Sequence, residues 1–328
     1  MHPVAYLLLA YVTMRVLRAI LPRSDIGQTA VIVTGASSGF GRAIAERMHQ
    51  LGCIVFAGCE DAAAVDALVA DLKETALEDG RFRPLKLDVT KESDVLDALK
   101  AVVDSKVPLR AVINNAGISA FGWAEVLPVE RHARNVDVNY LGTVRMTRAF
   151  LPTLRASKGR IVNVGSIGAR MPSAFGSSYL PAKAAMLSYS ECVRQEVFRH
   201  GVHVSYIEPG FFETALRASA SANGASHSAA ATTAPTDAAA AIEGRGDQRV
   251  LAYPGFEEHM KKTAEQIKAA EYLNGGAKGV GAVVDAVVDA VCSRIPLCRY
   301  TVGYDALLMR YVLCWLPDRL FDVIQTYF

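Results

Sequence analysis

The sequence predicts an α/β fold, a doubly wound parallel sheet with helices on both faces. Three observations predict it. Short, continuously apolar, β-branched runs alternate with helix-period stretches from residue 30 to about 207. The runs are apolar at every position, as strands buried on both faces are. The first strand-to-helix junction is the glycine-rich turn Thr34-Gly35-Ala36-Ser37-Ser38-Gly39-Phe40-Gly41, and such junctions build open parallel sheets.

The elements follow in order. Strands are expected near 30–34, 53–58, 83–87, 110–114, 160–165 and 203–208, and helices near 40–51, 62–76, 91–104, 126–156 and 178–200. Past residue 248 the pattern resumes. Phe256, Met260, Ala264 and Ile267 share one helical face, a further helix is expected near 279–293, and Arg299-Tyr300-Thr301-Val302 can form a last strand. Between these, alanine makes up half of residues 218–241. With few large apolar side chains to bury, residues 217–248 read as a disordered low-complexity insertion in the domain of residues 25–328.

Ahead of the domain, residues 4–21 are strongly apolar, with Arg15, Arg18 and Arg23 toward the C-terminal end and no acid before Asp25. Residues 1–24 therefore read as a hydrophobic membrane anchor whose arginine stems snorkel to the interface. The positive-inside bias leaves the catalytic domain cytoplasmic, as on an endoplasmic-reticulum surface. An interfacial helix and a mitochondrial transit segment are alternatives. The formal charge of +2 gives no sign of a nucleic-acid partner. Six scattered cysteines without a C-x-x-C pair read as buried, reduced thiols, not as metal ligands or disulfides.

The glycine turn suits a dinucleotide pyrophosphate. Gly35 allows the tight turn, Gly39 lets backbone approach the phosphates, and Gly41 lets the helix pack on the strand. The helix start adds free N–H groups and a positive dipole end, so the fold is Rossmann-like. Beyond the second strand, Glu60 and Asp61 stand where an acid would accept a bond from the adenosine ribose and repel a 2′-phosphate. NAD is therefore expected, with NADP open. Either acid could instead be an ordinary polar helix start.

A catalytic set follows. Ser166 ends the fifth strand, Tyr179 comes thirteen residues later, and Lys183 four after that. A spacing of four puts Tyr179 and Lys183 on one helix face. Alcohol oxidation needs a base for the hydroxyl proton. Tyrosine serves only if nearby cations, here the Lys183 ammonium and an oxidised nicotinamide, favour phenolate. Ser166 would hold the substrate oxygen. Pro181 inside this element requires Tyr179 to lie near the helix start.

These residues resemble the short-chain dehydrogenase/reductase family, as do Asn114-Asn115-Ala116-Gly117 and Glu208-Pro209-Gly210-Phe211-Phe212. The similarity narrows to the branch of retinol, hydroxysteroid and D-3-hydroxybutyrate dehydrogenases. The resemblance implies a catalytic tetrad of Asn139, Ser166, Tyr179 and Lys183. It implies cofactor contacts from Gly35, Ser37, Gly39, Phe40 and Gly41 in the turn. Glu60, Asp88 and Val89 would serve the adenosine side, and Asn115, Ala116 and Gly117 the ribose. Tyr179, Lys183, Pro209, Gly210 and Thr214 would serve the nicotinamide half. Asp88 could equally be an N-cap, and Phe211 and Phe212 core aromatics. The implied activity is hydride transfer between a nicotinamide cofactor and a lipophilic alcohol or ketone such as a retinoid or hydroxysteroid. A 3-hydroxybutyrate dehydrogenase and a non-catalytic nucleotide-binding scaffold are the alternatives, and a homo-oligomer is compatible with either.

Overall fold

The computed structural model describes residues 12–14, 16–18, 20–72, 79–121, 124, 127–212, 232–233 and 279–316. In chain order these form β1 (Ala30–Thr34), α1 (Gly39–Gln50), β2 (Ile54–Cys59), α2 (Ala62–Asp71), β3 (Phe82–Lys86), α3 (Glu92–Asp104) and β4 (Leu109–Asn114). Then come β5 (Ser119–Ala120), α4 (Val129–Val136), α5 (Gly142–Ser157), β6 (Arg160–Val164), α6 (Tyr179–Val197) and β7 (His203–Pro209). The short β8 (Thr232–Thr233), α7 (Val280–Cys292), β9 (Arg299–Val302) and α8 (Tyr304–Tyr311) complete the list.

Seven strands form one parallel sheet in the order β3-β2-β1-β4-β6-β7-β9. The order reverses direction between β1 and β4, which opens a crevice at their carboxyl ends, where sheets of this kind bind ligands. Alternate strand residues feed two cores. Val31, Val33, Ala111, Ile113, Val162 and Val164 pack with α1, α2 and α7 through Ile44, Met48, Leu68 and Val287. Ala30, Ile32, Val112 and Ile161 pack with α3, α5 and α6 through Val95, Phe150, Leu154 and Val193. The expected continuous apolar strands are thus covered on both faces by amphipathic helices.

One expected element is modified. The single helix expected over 126–156 is two helices joined by a π-helical turn at Asp137–Leu141, where the Gly142 N–H reaches back to the Asp137 carbonyl. This wider turn is a feature of functional sites, and it carries Asn139. Residues 217–248 apart from 232–233, the helical face at 256–267, and residues 4–11, 15 and 19 of the apolar stretch lie outside the described residues. Of the insertion, Thr232–Thr233 pairs in parallel with Ser119–Ala120.

Arg18 and Arg23 are bonded to the folded domain. Residues 12–14 and 16–18 are helical, and Arg18 binds Asp289 of α7 and donates to the Ile295 carbonyl at 2.7 Å. Its guanidinium lies 5.6 Å from the centre of the Tyr300 ring, and Tyr300 donates to the same Asp289 at 2.7 Å. Arg23 adds a longer pair to Asp289 at 3.6 Å. An acid on a distant helix, invisible to a reading of residues 4–21, captures Arg18 for the domain. Among the described residues no helix is long and apolar enough to cross a membrane. The cysteines also differ from expectation. Cys53, Cys59 and Cys292 are buried, while Cys192, Cys298 and Cys314 are exposed.

Candidate active site

The glycine turn folds as a cradle. Gly35 has φ +65° and Gly39 φ +55°, in the left-handed region that a Cβ disfavours. A Cβ on Gly35 would stand 2.9 Å from the Ala116 Cα, and one on Gly41 would run into the Gly35 carbonyl and the Asn115 amide. At the start of α1 the Ser38 side chain makes no capping bond, and the first turn holds no acid. The N-terminal N–H groups are thus left without a side-chain acceptor, which fits the phosphates of a dinucleotide.

The end of β4 locks onto this turn. Asn115 Nδ2 donates to the Thr34 and Gly35 carbonyls at 3.0 and 3.1 Å. The Thr34 hydroxyl accepts from the Asn115 and Ala116 N–H groups at 3.0 and 2.9 Å. Beneath, Asn114 Nδ2 bonds Asn163 Oδ1 at 2.8 Å, and Asn163 Nδ2 bonds the Ser190 hydroxyl at 2.7 Å. Two adjacent asparagines therefore tie β1, β4, β6 and α6 together instead of forming a simple turn.

Of the residues expected on the adenosine side, Asp88 and Val89 are buried. Asp88 accepts from the Thr90 N–H at 3.0 Å and hydroxyl at 2.7 Å and pairs with Lys91 at 3.3 Å. Burial pushes its carboxyl up, but these bonds leave it below the usual range. It is not the N-cap of α3, a position held by Lys91. Asp61 does cap α2, accepting from the Ala64 N–H at 2.8 Å, so the polar-helix-start reading holds for that residue. Glu60 pairs with Arg134 of α4 at 3.1 Å, a cation that the sequence did not bring to this place. Arg42 turns away to Asp71 and Glu46 at 2.8 and 3.0 Å.

The four tetrad residues converge on one place. Tyr179 begins α6, so Pro181 falls in the first turn, where a missing N–H costs nothing. Lys183 donates from Nζ to the Val164 carbonyl at 3.1 Å and lies 5.7 Å from the Tyr179 ring centre. Gly117 separates Lys183 from Asn139. A Cβ there would stand 3.4 Å from Lys183 Nζ and 2.7 Å from Asn139 Oδ1. Asn139 is fully buried, donates to the Ile118 carbonyl at 2.9 Å and accepts from the Ile118 N–H at 3.2 Å. Asn135, which the sequence reading passed over, accepts from Asn139 at 3.1 Å and donates to the Ser178 hydroxyl at 2.9 Å. Ser166 accepts from the Gly168 N–H at 3.1 Å. Under the site, the Tyr206 hydroxyl donates to the Lys183 carbonyl at 3.1 Å.

The electrostatics of the protein alone run against the expected phenolate. Burial pushes the Tyr179 hydroxyl up to about 12, and the hydrogen bond to Ser166 pulls it down only in part. Burial also lowers the Lys183 ammonium to about 8. Spacing along a helix places the two groups together but does not reveal how dry their surroundings are.

Of the residues expected at the nicotinamide half, Pro209 ends β7 and Gly210 follows it. Phe212 is buried edge-on against Phe40, ring centres 6.0 Å apart, so it is a core aromatic. Thr214 lies outside the described residues. Ser37, Ala116 and Gly117 line the same carboxyl edge by their positions in the turn and after β4.

The comparisons with known proteins agree with this geometry. Residues 29–225 match the family described as short chain dehydrogenase. The chain is 33% identical over 305 residues to the mitochondrial D-beta-hydroxybutyrate dehydrogenase of Rattus norvegicus, covering 91% of this chain and 84% of that one. It is 41% identical over 197 residues to estradiol 17-beta-dehydrogenase 2 of Mus musculus, covering 59% of this chain and 51% of that one. Among solved structures, a short-chain dehydrogenase from Streptomyces avermitilis superposes with a TM-score of 0.63 at 28% identity, over 85% of this chain and 89% of the other. The chain belongs to the short-chain dehydrogenase family and is an oxidoreductase that uses a nicotinamide cofactor on CH–OH groups.

Proposed function

We propose that this chain is an NAD-preferring dehydrogenase of a lipophilic secondary or primary alcohol, with Tyr179 as its general acid/base. The observation that carries this is the meeting of Tyr179, Lys183 and Ser166 at the carboxyl edge of β6 beside the glycine cradle. A bound nicotinamide cofactor would supply the hydride acceptor. The protein's part is proton handling and orientation. Ser166 holds the substrate oxygen near Tyr179, whose hydroxyl exchanges the proton with it. Bringing a phenol from about 12 to near neutrality takes on the order of 7 kcal/mol of differential stabilisation. Cations beside the ring supply energies of that order only where water is excluded, which gives the burial of Lys183 beside the half-buried Tyr179 a purpose. Asn139, fixed by Ile118 and Asn135, holds the wall next to Lys183.

The lipophilic reading is supported by apolar side chains at and before Tyr179. Phe121 lies 5.5 Å from the Tyr179 ring, and Met171 and Phe175 are buried in the segment before it. One observation favours a second reading, a small 3-hydroxy acid. Arg170 Nη2, four residues past Ser166, is buried without a hydrogen-bond partner, and a substrate carboxylate is an acceptor it could take. A panel of retinol, hydroxysteroids and 3-hydroxybutyrate, each with NAD and NADP, tests both. Turnover confined to 3-hydroxybutyrate overturns the lipophilic reading, and turnover of none of them overturns both.

The same proposal places the protein at a membrane through residues 4–21, on the endoplasmic reticulum, with a mitochondrial location as the alternative. Carbonate extraction with N-terminal sequencing tests it. A full-length chain in the soluble fraction counts against the anchor.

A further inference from the structure

Behind the nicotinamide-side loop, the C-terminal part of the domain holds that loop through three sets of bonds. Glu208, next to last in β7, is completely buried. A buried carboxylate persists only when paired and hydrogen-bonded, and here the donors come from two directions. Oε1 accepts from Arg170 Nε at 2.8 Å. Oε2 accepts from the Thr301 hydroxyl at 2.9 Å and from Arg310 Nη1 at 3.0 Å. Thr301 belongs to β9 and Arg310 to α8. Two residues further, the Gly210 N–H donates to the Val302 carbonyl at 2.8 Å. The Phe211 N–H donates to Asp305 Oδ2 at 2.7 Å. Gly210 has no room for a side chain because the Asp305 carboxylate fills the place of its Cβ. The Gly210 and Phe211 N–H groups and the Glu208 carboxylate are thus all bound to residues 301–310.

We propose that Asp305, backed by the Glu208–Arg310 pair, is a positioning residue that sets the loop Pro209-Gly210-Phe211 against the nicotinamide half of the cofactor. This rests on the reading above that the loop serves that half. Asp305 acts through the Phe211 amide. The C-terminal helix α8 thereby sets cofactor geometry from a sequence distance of about 100 residues, the separation between Phe211 and Asp305 being 94.

The test uses the full chain with Asp305→Ala, Asp305→Asn, Gly210→Ala and the double variant Gly210→Ala/Asp305→Ala. Three readouts are taken: amide hydrogen exchange of Phe211, affinity for NADH, and affinity for ADP-ribose, which lacks the nicotinamide ring. Asp305→Ala should speed Phe211 exchange and weaken NADH about tenfold, as loss of a charge-assisted hydrogen bond does, with ADP-ribose unchanged. Asp305→Asn, which keeps an acceptor oxygen, should restore most NADH affinity. Gly210→Ala should be damaging alone and add nothing to Asp305→Ala, because the clash needs the carboxylate. Unchanged Phe211 exchange in Asp305→Ala overturns the clamp. Faster exchange with unchanged NADH affinity leaves the bond in place but overturns the loop's nicotinamide role. Equal losses for NADH and ADP-ribose, or additive damage in the double variant, overturn a specific positioning role in favour of general destabilisation.

Discussion

Glu60 and Arg134 meet at 3.1 Å just past the end of β2, although 74 residues separate them in the chain. Both side chains are well exposed, so the pair adds little to stability. Its interest is position. Glu60 stands where an acid would refuse a 2′-phosphate, and Arg134 is a cation whose charge Glu60 offsets. Replacing Glu60 by Gln should free that cation and shift the preference toward NADP by about tenfold. Adding Arg134→Ala to Glu60→Gln should take the gain away. Dissociation constants for NADH and NADPH in the three proteins check this, and an unaltered ratio in Glu60→Gln removes Glu60 from cofactor choice.

Tyr179→Phe deletes only a hydroxyl. It should lower kcat by about a thousandfold, within the usual range for losing a general acid/base, while NADH affinity changes little. Lys183→Ala should impair both, because Lys183 sits between the Val164 carbonyl, the Tyr179 ring and the ground below Gly117. Rapid turnover by Tyr179→Phe would show that another group moves the proton. NADH binding untouched in Lys183→Ala would restrict Lys183 to the tyrosine alone.

These predictions also show which parts of the molecule were legible in the sequence. The strands were, because runs such as Val31-Ile32-Val33 and Ile161-Val162 are apolar at every position and are buried on both faces. The meeting of Ser166, Tyr179 and Lys183 was, because strand-end placement and the Tyr-x-x-x-Lys spacing fix the three relative to the sheet. What stayed hidden depends on distant partners or on burial. Glu60–Arg134, Arg18–Asp289 and Glu208–Arg310 are ion pairs between elements, and a single charge leaves no periodic mark. The π-helical turn around Asn139 interrupts a stretch whose side-chain pattern is still helical. The rise of the Tyr179 hydroxyl follows from desolvation, which residue spacing does not report. The sequence named Glu208 only as the neighbour of Pro209, since a buried acid looks like any other until its two arginines are seen.

Gly41 offers a test of the cradle. A methyl group there would meet the Gly35 carbonyl and the Asn115 amide, both backbone-fixed or bonded to backbone. Neither can yield as a flexible side-chain end would. Gly41→Ala should destabilise the protein by about 1–3 kcal/mol, the usual cost of overpacking, and should weaken ADP-ribose as strongly as NADH, since both share the pyrophosphate. Denaturant unfolding and the two affinities check it. An alanine variant with native stability and native ADP-ribose binding would mean that the turn relaxes freely.

The last prediction concerns acid. His203 opens β7 opposite Arg160 in the parallel register, and it is half-buried. Burial, followed by the charges of Arg160 and Arg110, lowers its imidazolium to about 4 from the ordinary 6.5. In the unfolded chain the same imidazole protonates near 6.5. Between these values the unfolded state binds more protons than the folded one, so stability rises with pH through the window and falls as pH drops from 6.5 toward 4. The contribution is fully present above 6.5. Arg160 and Arg110 do not escape the site, because they are held by the Ser293 and Val291 carbonyls at the end of α7, so their repulsion persists as acid is added. His203→Gln removes the titration and leaves the carboxylates that also drive acid unfolding unchanged. The difference between the two proteins' urea midpoints should therefore be constant above about pH 7 and move in favour of the glutamine variant as pH falls through the window. Midpoints that stay parallel from pH 7.5 to pH 4.5 would show that His203 keeps an ordinary imidazole in the folded protein.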